Sequence, residues 1–194
     1  MPTDPIALSS NHDTVISETR TWLEVVVIGL NLCPFAKAVH VRQQIQFIVS
    51  DATTPEALTN DLTQQLLFLS ECDASLVDTT LLILPMMLQD FLDYNDFLDH
   101  ADRLLIDLQL DGVLQIASFH PQYQFAGTQA DDITNYTNRS PYPMLHLLRE
   151  SSIDRAVEAF PDANEIVERN LATLQRLGHS GWAALGLARF SDRQ

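Results

Sequence analysis

The feature that most constrains the fold is a succession of strand, helix and strand between residues 81 and 119. Residues 81–84 form a short apolar run closed by Pro85, which is typical of a strand buried on both faces. From Asp90 to Leu110, apolar side chains recur at spacings of three and four and predict an amphipathic helix. Residues 113–119 are again apolar on both faces. Two buried strands joined by such a helix are typical of a βαβ unit, in which the strands are parallel.

The flanking sequence continues the alternation of helices and strands. Residues 45–49 alternate apolar and polar side chains, which predicts a half-buried strand. Thr54 followed by Pro55 predicts the start of a helix. Further helices are predicted at about Asp13–Leu30, Asp154–Phe160 and Asp162–Leu177. The fold class is therefore predicted as α/β, with a small, mainly parallel sheet of three strands covered by helices.

A ferredoxin-like α+β arrangement with some antiparallel pairing is the alternative, and it needs an additional edge strand near residues 122–125. At 194 residues, with 46% hydrophobic residues, the chain has the size and composition of one globular domain spanning residues 1–194. Residues 1–10 are expected to be flexible. The sequence leaves the oligomeric state open.

The charge and the cysteines limit the compartment and the partners. The formal net charge is −15, from 26 acidic against 11 basic residues, so the surface repels phosphate backbones and anionic membranes. We therefore expect no nucleic-acid and no membrane partner. Cys33 and Cys72 form no pair motif, which is typical of a reducing compartment. No signal peptide or membrane-spanning run is recognised, and a cytoplasmic location is expected.

A first candidate site segment runs from Asn31 to Lys37 and contains the only lysine of the chain. Cys33 lies four residues before Lys37, and a nearby ammonium group favours a nucleophilic thiolate. Cys33 is accordingly a candidate nucleophile, and Lys37 a candidate substrate-binding residue. The alternative is a small buried cysteine beside a surface lysine.

A second candidate segment, residues 118–121, contains His120 at the predicted carboxyl end of a strand. Ligands of open parallel sheets bind at that end, so His120 is a candidate general base. The alternative is a histidine that fixes a loop through hydrogen bonds.

A third candidate segment runs from Asn138 to Arg149, where prolines on both sides of Tyr142 stiffen the chain. If residues 144–150 form a short helix, His146 and Arg149 share a face. With Arg139 and Arg155 they form the densest basic cluster in an acidic chain, which suits a small anion. We therefore predict His146 as a catalytic residue, and Arg139, Tyr142 and Arg149 as substrate-binding residues. The alternative is that the arginines pair with local acids.

No metal site and no known cofactor motif is predicted. The cysteines and histidines lack zinc-site spacings, and the glycines form no phosphate-binding loop. No serine lies in a nucleophile-elbow context. The cofactor, if the chain uses one, stays unknown.

Residues 31–37, residues 118–121 with Tyr123 and Phe125, and residues 138–149 together resemble a bacterial family known as domain of unknown function 1415. The resemblance covers nearly the full chain. It implies a bacterial, cytosolic protein of one domain, and it assigns neither an activity nor catalytic residues.

Two functions are consistent with these residues, and the sequence does not decide whether the chain is an enzyme. The first is an enzyme or enzyme-like binder of a small anionic metabolite, at a pocket built from residues 120–149. The second is a non-catalytic protein-interaction domain that uses the same segment as a docking surface, since tyrosine and arginine are enriched at interfaces.

Overall fold

A computed structural model describes residues 5–159 and 163–187 of the chain. The helices in this part are α1 (Pro5–Trp22), α2 (Ala36–Val41), α3 (Pro55–Glu71), α4 (Phe91–Asp107), α5 (Glu150–Ala159) and α6 (Ala163–Ala183). The strands are β1 (Ile45–Val49), β2 (Thr79–Ile83), β3 (Leu114–Phe119) and β4 (Met144–Arg149). A π-helical segment, Leu23–Ile28, continues α1, and a 3₁₀ helix covers Ile133–Thr137.

The four strands form one mixed sheet in the order β1-β2-β4-β3. Strands β1 and β2 are parallel, and β4 is antiparallel to both of its neighbours, β2 and β3. The predicted α/β class is confirmed. The prediction of three mainly parallel strands is wrong, because a fourth strand lies between the two strands of the predicted βαβ unit.

Strand β4 is the element that the sequence pattern hid. The helix considered for residues 144–150 is wrong over 144–149, because this segment pairs along its whole length with β2 and β3. The apolar side chains of β4 lie on both faces of the sheet, so they do not alternate regularly with polar ones. Leu145 and Leu147 pack on one face, and Met144 packs on the other. A short segment with four apolar residues among six has no decisive periodicity, so the pairing partners determine its conformation. No strand is assigned near residues 122–125.

Helices cover both faces of the sheet. Leucines of α3 and the buried side of α4 pack on one face against Leu82, Leu145 and Leu147. On the other face, α1, its π-helical continuation and α6 pack against Leu81 and Ile83. Neighbouring residues of β2 thus serve opposite cores, as the alternation of side chains along a strand requires.

Local signals fix most helix boundaries. The Thr54 side chain accepts a hydrogen bond from the Ala57 N–H, which confirms the predicted cap of α3. Gly178 interrupts α6 with a φ of 62°, so the predicted end of the main helix at that glycine is confirmed. Residues 1–4 of the segment expected to be flexible lie outside the described residues, and residues 5–10 belong to α1. Among the described helices, none combines the length and the apolar character needed to cross a membrane.

Candidate functional site

His120 follows β3 and is completely buried, with 0% of its surface exposed. Its Nδ1 accepts a hydrogen bond from the Gln122 N–H at 2.9 Å. Its Nε2 lies 3.0 Å from the carbonyl oxygen of Leu88, so the hydrogen of the neutral ring is assigned to Nε2. His120 therefore connects the segment after β3 to the loop after β2.

Aromatic side chains of α4 hold the His120 ring. The ring centroids of Phe91 and Tyr94 lie 5.3 and 5.1 Å from that of His120. The Tyr94 hydroxyl donates to the carbonyl of Met144 and accepts from the N–H of Phe119, at 2.7 and 3.0 Å. Burial raises the pKa of Tyr94, so this hydroxyl stays protonated and bridges the ends of β3 and β4.

The loop that His120 contacts, residues 84–90, is also fixed from within. The side-chain amide of Gln89 donates to the carbonyls of Leu84 and Met87, both at 3.0 Å, and to that of Pro85. Leu88 has a φ of 55°, in the left-handed region that a branched side chain rarely adopts. Hydrogen bonds on both sides of Leu88 hold this strained conformation in place.

This loop forms one wall of an open groove that we call the strand-end groove. The groove encloses about 830 Å³ between the start of α3 and the first half of α4, beyond the carboxyl ends of β1 and β2. It is lined by Pro55, Glu56, Thr59, Met86, Met87, Leu88, Gln89, Asp90, Asp93, Asp96, Phe97 and His100. Its position is where open α/β sheets bind ligands.

The lining of the strand-end groove is acidic and apolar. Four of its twelve residues are Asp or Glu and none is Lys or Arg, whereas the whole chain has 26 acids in 194 residues. The lining is thus enriched in carboxylates beyond the general acidity of the chain. The carboxylate of Asp90 also caps α4 by accepting from the N–H groups of Leu92 and Asp93.

His146 lies on the other face of the sheet from α4. Its Nε2 is 2.7 Å from the hydroxyl of Thr79, which itself donates to the carbonyl of Leu147. The Nε2–H tautomer therefore completes a chain of hydrogen bonds within the sheet. Burial lowers the pKa of His146 to about 4, so the ring is neutral at physiological pH.

Arg139 lies five residues before β4 and Arg149 is the last residue of β4, a strand about 20 Å long. Arg139 donates to the carbonyls of Tyr123 and Ala130, and burial lowers its pKa. Arg149 donates to the carbonyls of Cys72 and Val77. The predicted shared face of His146 and Arg149 is wrong, because residues three apart on a strand point to opposite faces.

The other predicted site residues lie on the α1 side of the sheet. Tyr142 is 2% exposed, and its hydroxyl donates to the carboxylate of Glu18 at 2.6 Å. Cys33 is partly buried against the apolar core on that side. Lys37 is exposed on α2.

Within the part of the chain that the structure describes, the predicted site residues do not come together at the strand-end groove. None of the seven lines the groove, and His120 is connected to its wall through the hydrogen bond to the carbonyl of Leu88. The groove itself was not predicted from the sequence. A signal was present: Met86 and Met87 follow a buried strand and Pro85, and acids recur three apart at Asp90, Asp93 and Asp96. Within the described residues, no cluster of three or more His, Cys, Asp or Glu side chains is arranged to hold a metal ion.

Comparison with known proteins assigns the family and no activity. The model of a family described as a protein of unknown function (DUF1415) matches residues 14–184, so the chain belongs to that family. This confirms the resemblance seen in the three segments. No curated protein and no solved structure matches the chain.

Proposed function

We propose that this member of the DUF1415 family is a non-catalytic binding domain that holds a positively charged ligand in the strand-end groove. The observation that carries the proposal is the lining, which combines the carboxylates of Glu56, Asp90, Asp93 and Asp96 with apolar side chains and contains no Lys or Arg. Charge of one sign inside a groove concentrates ligands of the opposite sign. A ligand with a cationic part and an apolar part fits this lining best.

A fixed shape also supports binding. Gln89 and His120 tie the groove loop to its own backbone and to the segment after β3. A wall that is already ordered costs less conformational entropy when a ligand binds. The docking surface was predicted over residues 120–149; in this proposal, residues at the start of that segment support the loop of a neighbouring groove.

The other predicted function, an enzyme that acts on a small anionic metabolite, has less support. It requires Arg139 and Arg149 to bind one anion, and both donate instead to backbone carbonyls on either side of β4. It also requires His120 or His146 to move a proton, yet each ring is held by hydrogen bonds inside the fold. The proposal includes the cytoplasmic location that the cysteines predict, so the ligand is expected in the same compartment.

Calorimetric titration with cationic probes tests the proposed function. The probes are spermine and a lysine-rich peptide, and the variant is D93N/D96N, which removes two carboxylates from the groove. We expect this variant to bind a cationic probe about three- to tenfold more weakly, since each exposed ion pair contributes up to about 1 kcal/mol.

The matched control is D99N/D102N, which removes the same charge from exposed positions of the same helix outside the groove. It should bind nearly as well as the unmodified protein. Equal weakening of both double variants would show attraction by net charge alone and would contradict a site at the groove. Absence of binding by every probe would also contradict it.

A further inference from the structure

We infer that the natural occupant of the strand-end groove is a basic, amphipathic helical segment of another protein, an inference that rests on the proposed function. The groove continues at its rim into apolar surface that a small cation leaves unused. Met86 is 58% exposed and Leu92 is 70% exposed. Leu92 lies four residues before Asp96, on a neighbouring strip of α4. Exposed apolar surface beside a ligand groove is typical of a protein docking site.

The spacing of the acids matches a helical partner. Asp93 and Asp96 follow each other along α4 about 5 Å apart in axial rise, and Glu56 faces them from the start of α3. Basic residues three or four apart on a partner helix have a similar axial spacing. A helix lying in the groove therefore presents its basic side chains to the acids of α3 and α4.

The apolar lining of the groove suits the apolar side of such a helix. Met86 and Met87 have unbranched, polarisable side chains that adapt to the shape of a guest, and Phe97 adds an aromatic surface. An amphipathic helix places its apolar residues in a groove of this kind at positions i, i+3, i+4 and i+7. A second copy of this chain is a poor occupant, since each copy carries a net charge of −15.

Three fluorescent probes test this inference by anisotropy titration of the full chain. The first is a peptide of about 18 residues, some five helical turns, with lysines and leucines at amphipathic spacing. The second is its shuffled isomer, which has equal charge and composition and no apolar face. The third is labelled spermine.

We expect the amphipathic peptide to bind at least about tenfold more tightly than its shuffled isomer. The variant M86S should bind the amphipathic peptide about three- to tenfold more weakly, and its affinity for the other two probes should be unchanged. The control L76S changes another exposed apolar side chain, 68% exposed, that precedes β2 at the opposite end of the sheet, and should have no effect. Both positions are exposed, so thermal melts should show that both variants fold.

The outcomes separate the two proposals. If the shuffled isomer or spermine binds as tightly as the amphipathic peptide, or if M86S has no effect, the inference about the partner fails. The cationic groove survives that result when D93N/D96N still weakens binding. If none of the probes binds, both proposals fail.

Discussion

His146 is a neutral imidazole in the interior of the sheet, and it makes the stability of the protein depend on pH. Its pKa is about 4 in the folded chain because burial disfavours the charged ring, whereas an unperturbed histidine has a pKa of 6.5. Between these values the unfolded chain binds a proton that the folded chain does not bind. The free energy of unfolding therefore falls as the pH decreases from about 6.5 towards 4.

The substitution His146→Gln should remove this contribution while keeping a donor for the Thr79 hydroxyl. In urea titrations at several pH values, the unmodified protein should lose up to about 1.4 kcal/mol more per pH unit than H146Q within that window. The control is H100Q, which changes the exposed His100 and should retain the slope of the unmodified protein. Identical slopes for H146Q and the unmodified protein would show that His146 is not the group responsible.

At the scale of elements, the loop after β2 and the segment after β3 form one unit held by His120. The Nε2 side of the ring binds the loop at Leu88, and the Nδ1 side binds the turn at Gln122. The two bonds can be separated by substitution. An asparagine retains an acceptor for the Gln122 N–H and is too short to reach Leu88.

The variant H120A should lower the free energy of unfolding by about 3 kcal/mol, because it leaves a cavity and removes the hydrogen-bond partner of the Leu88 carbonyl and of the Gln122 N–H. H120N should recover part of that stability. Both variants should bind cationic probes at the groove more weakly. Both should also show faster amide hydrogen exchange in residues 84–90. The control Q122A retains the backbone N–H and should change neither property. A groove that binds equally well in H120N would contradict a role of His120 in shaping the loop.

The elements that sequence could predict are those whose own residues determine them. Helices α3 and α4 have a cap and a regular apolar stripe, so their existence followed from local pattern alone. Strand β4 did not, because its conformation depends on pairing with β2 and β3 on both sides. The same dependence hid the groove: Glu56 and Asp93 lie 37 positions apart and meet only because α3 and α4 pack side by side on one sheet face.

At the scale of the whole molecule, the excess of acidic residues opposes folding and favours binding. A net charge of −15 repels itself in the compact state, and salt screens that repulsion. The same salt screens attraction between the groove and a cationic guest. Stability and binding should therefore respond to salt with opposite sign.

Raising sodium chloride from about 10 mM to about 100 mM shortens the screening length from about 30 Å to about 10 Å. The urea midpoint of unfolding should rise over this range, and the affinity for the amphipathic peptide should fall. Both are measured on one protein sample at constant pH. A midpoint that decreases with salt would show that local ion pairs outweigh the general repulsion.

The position of β4 also determines the order in which the native state can assemble. During synthesis β3 emerges before β4, its neighbour in the described sheet, and about 25 residues separate the two in the chain. A nascent chain that ends before residue 144 therefore has two incomplete sheet edges and an uncovered apolar layer, which is the condition that recruits chaperones. The central strand closes both edges in one step. Pairings this distant along the chain slow folding, so the late arrival of β4 is expected to set the rate at which the nascent chain becomes native.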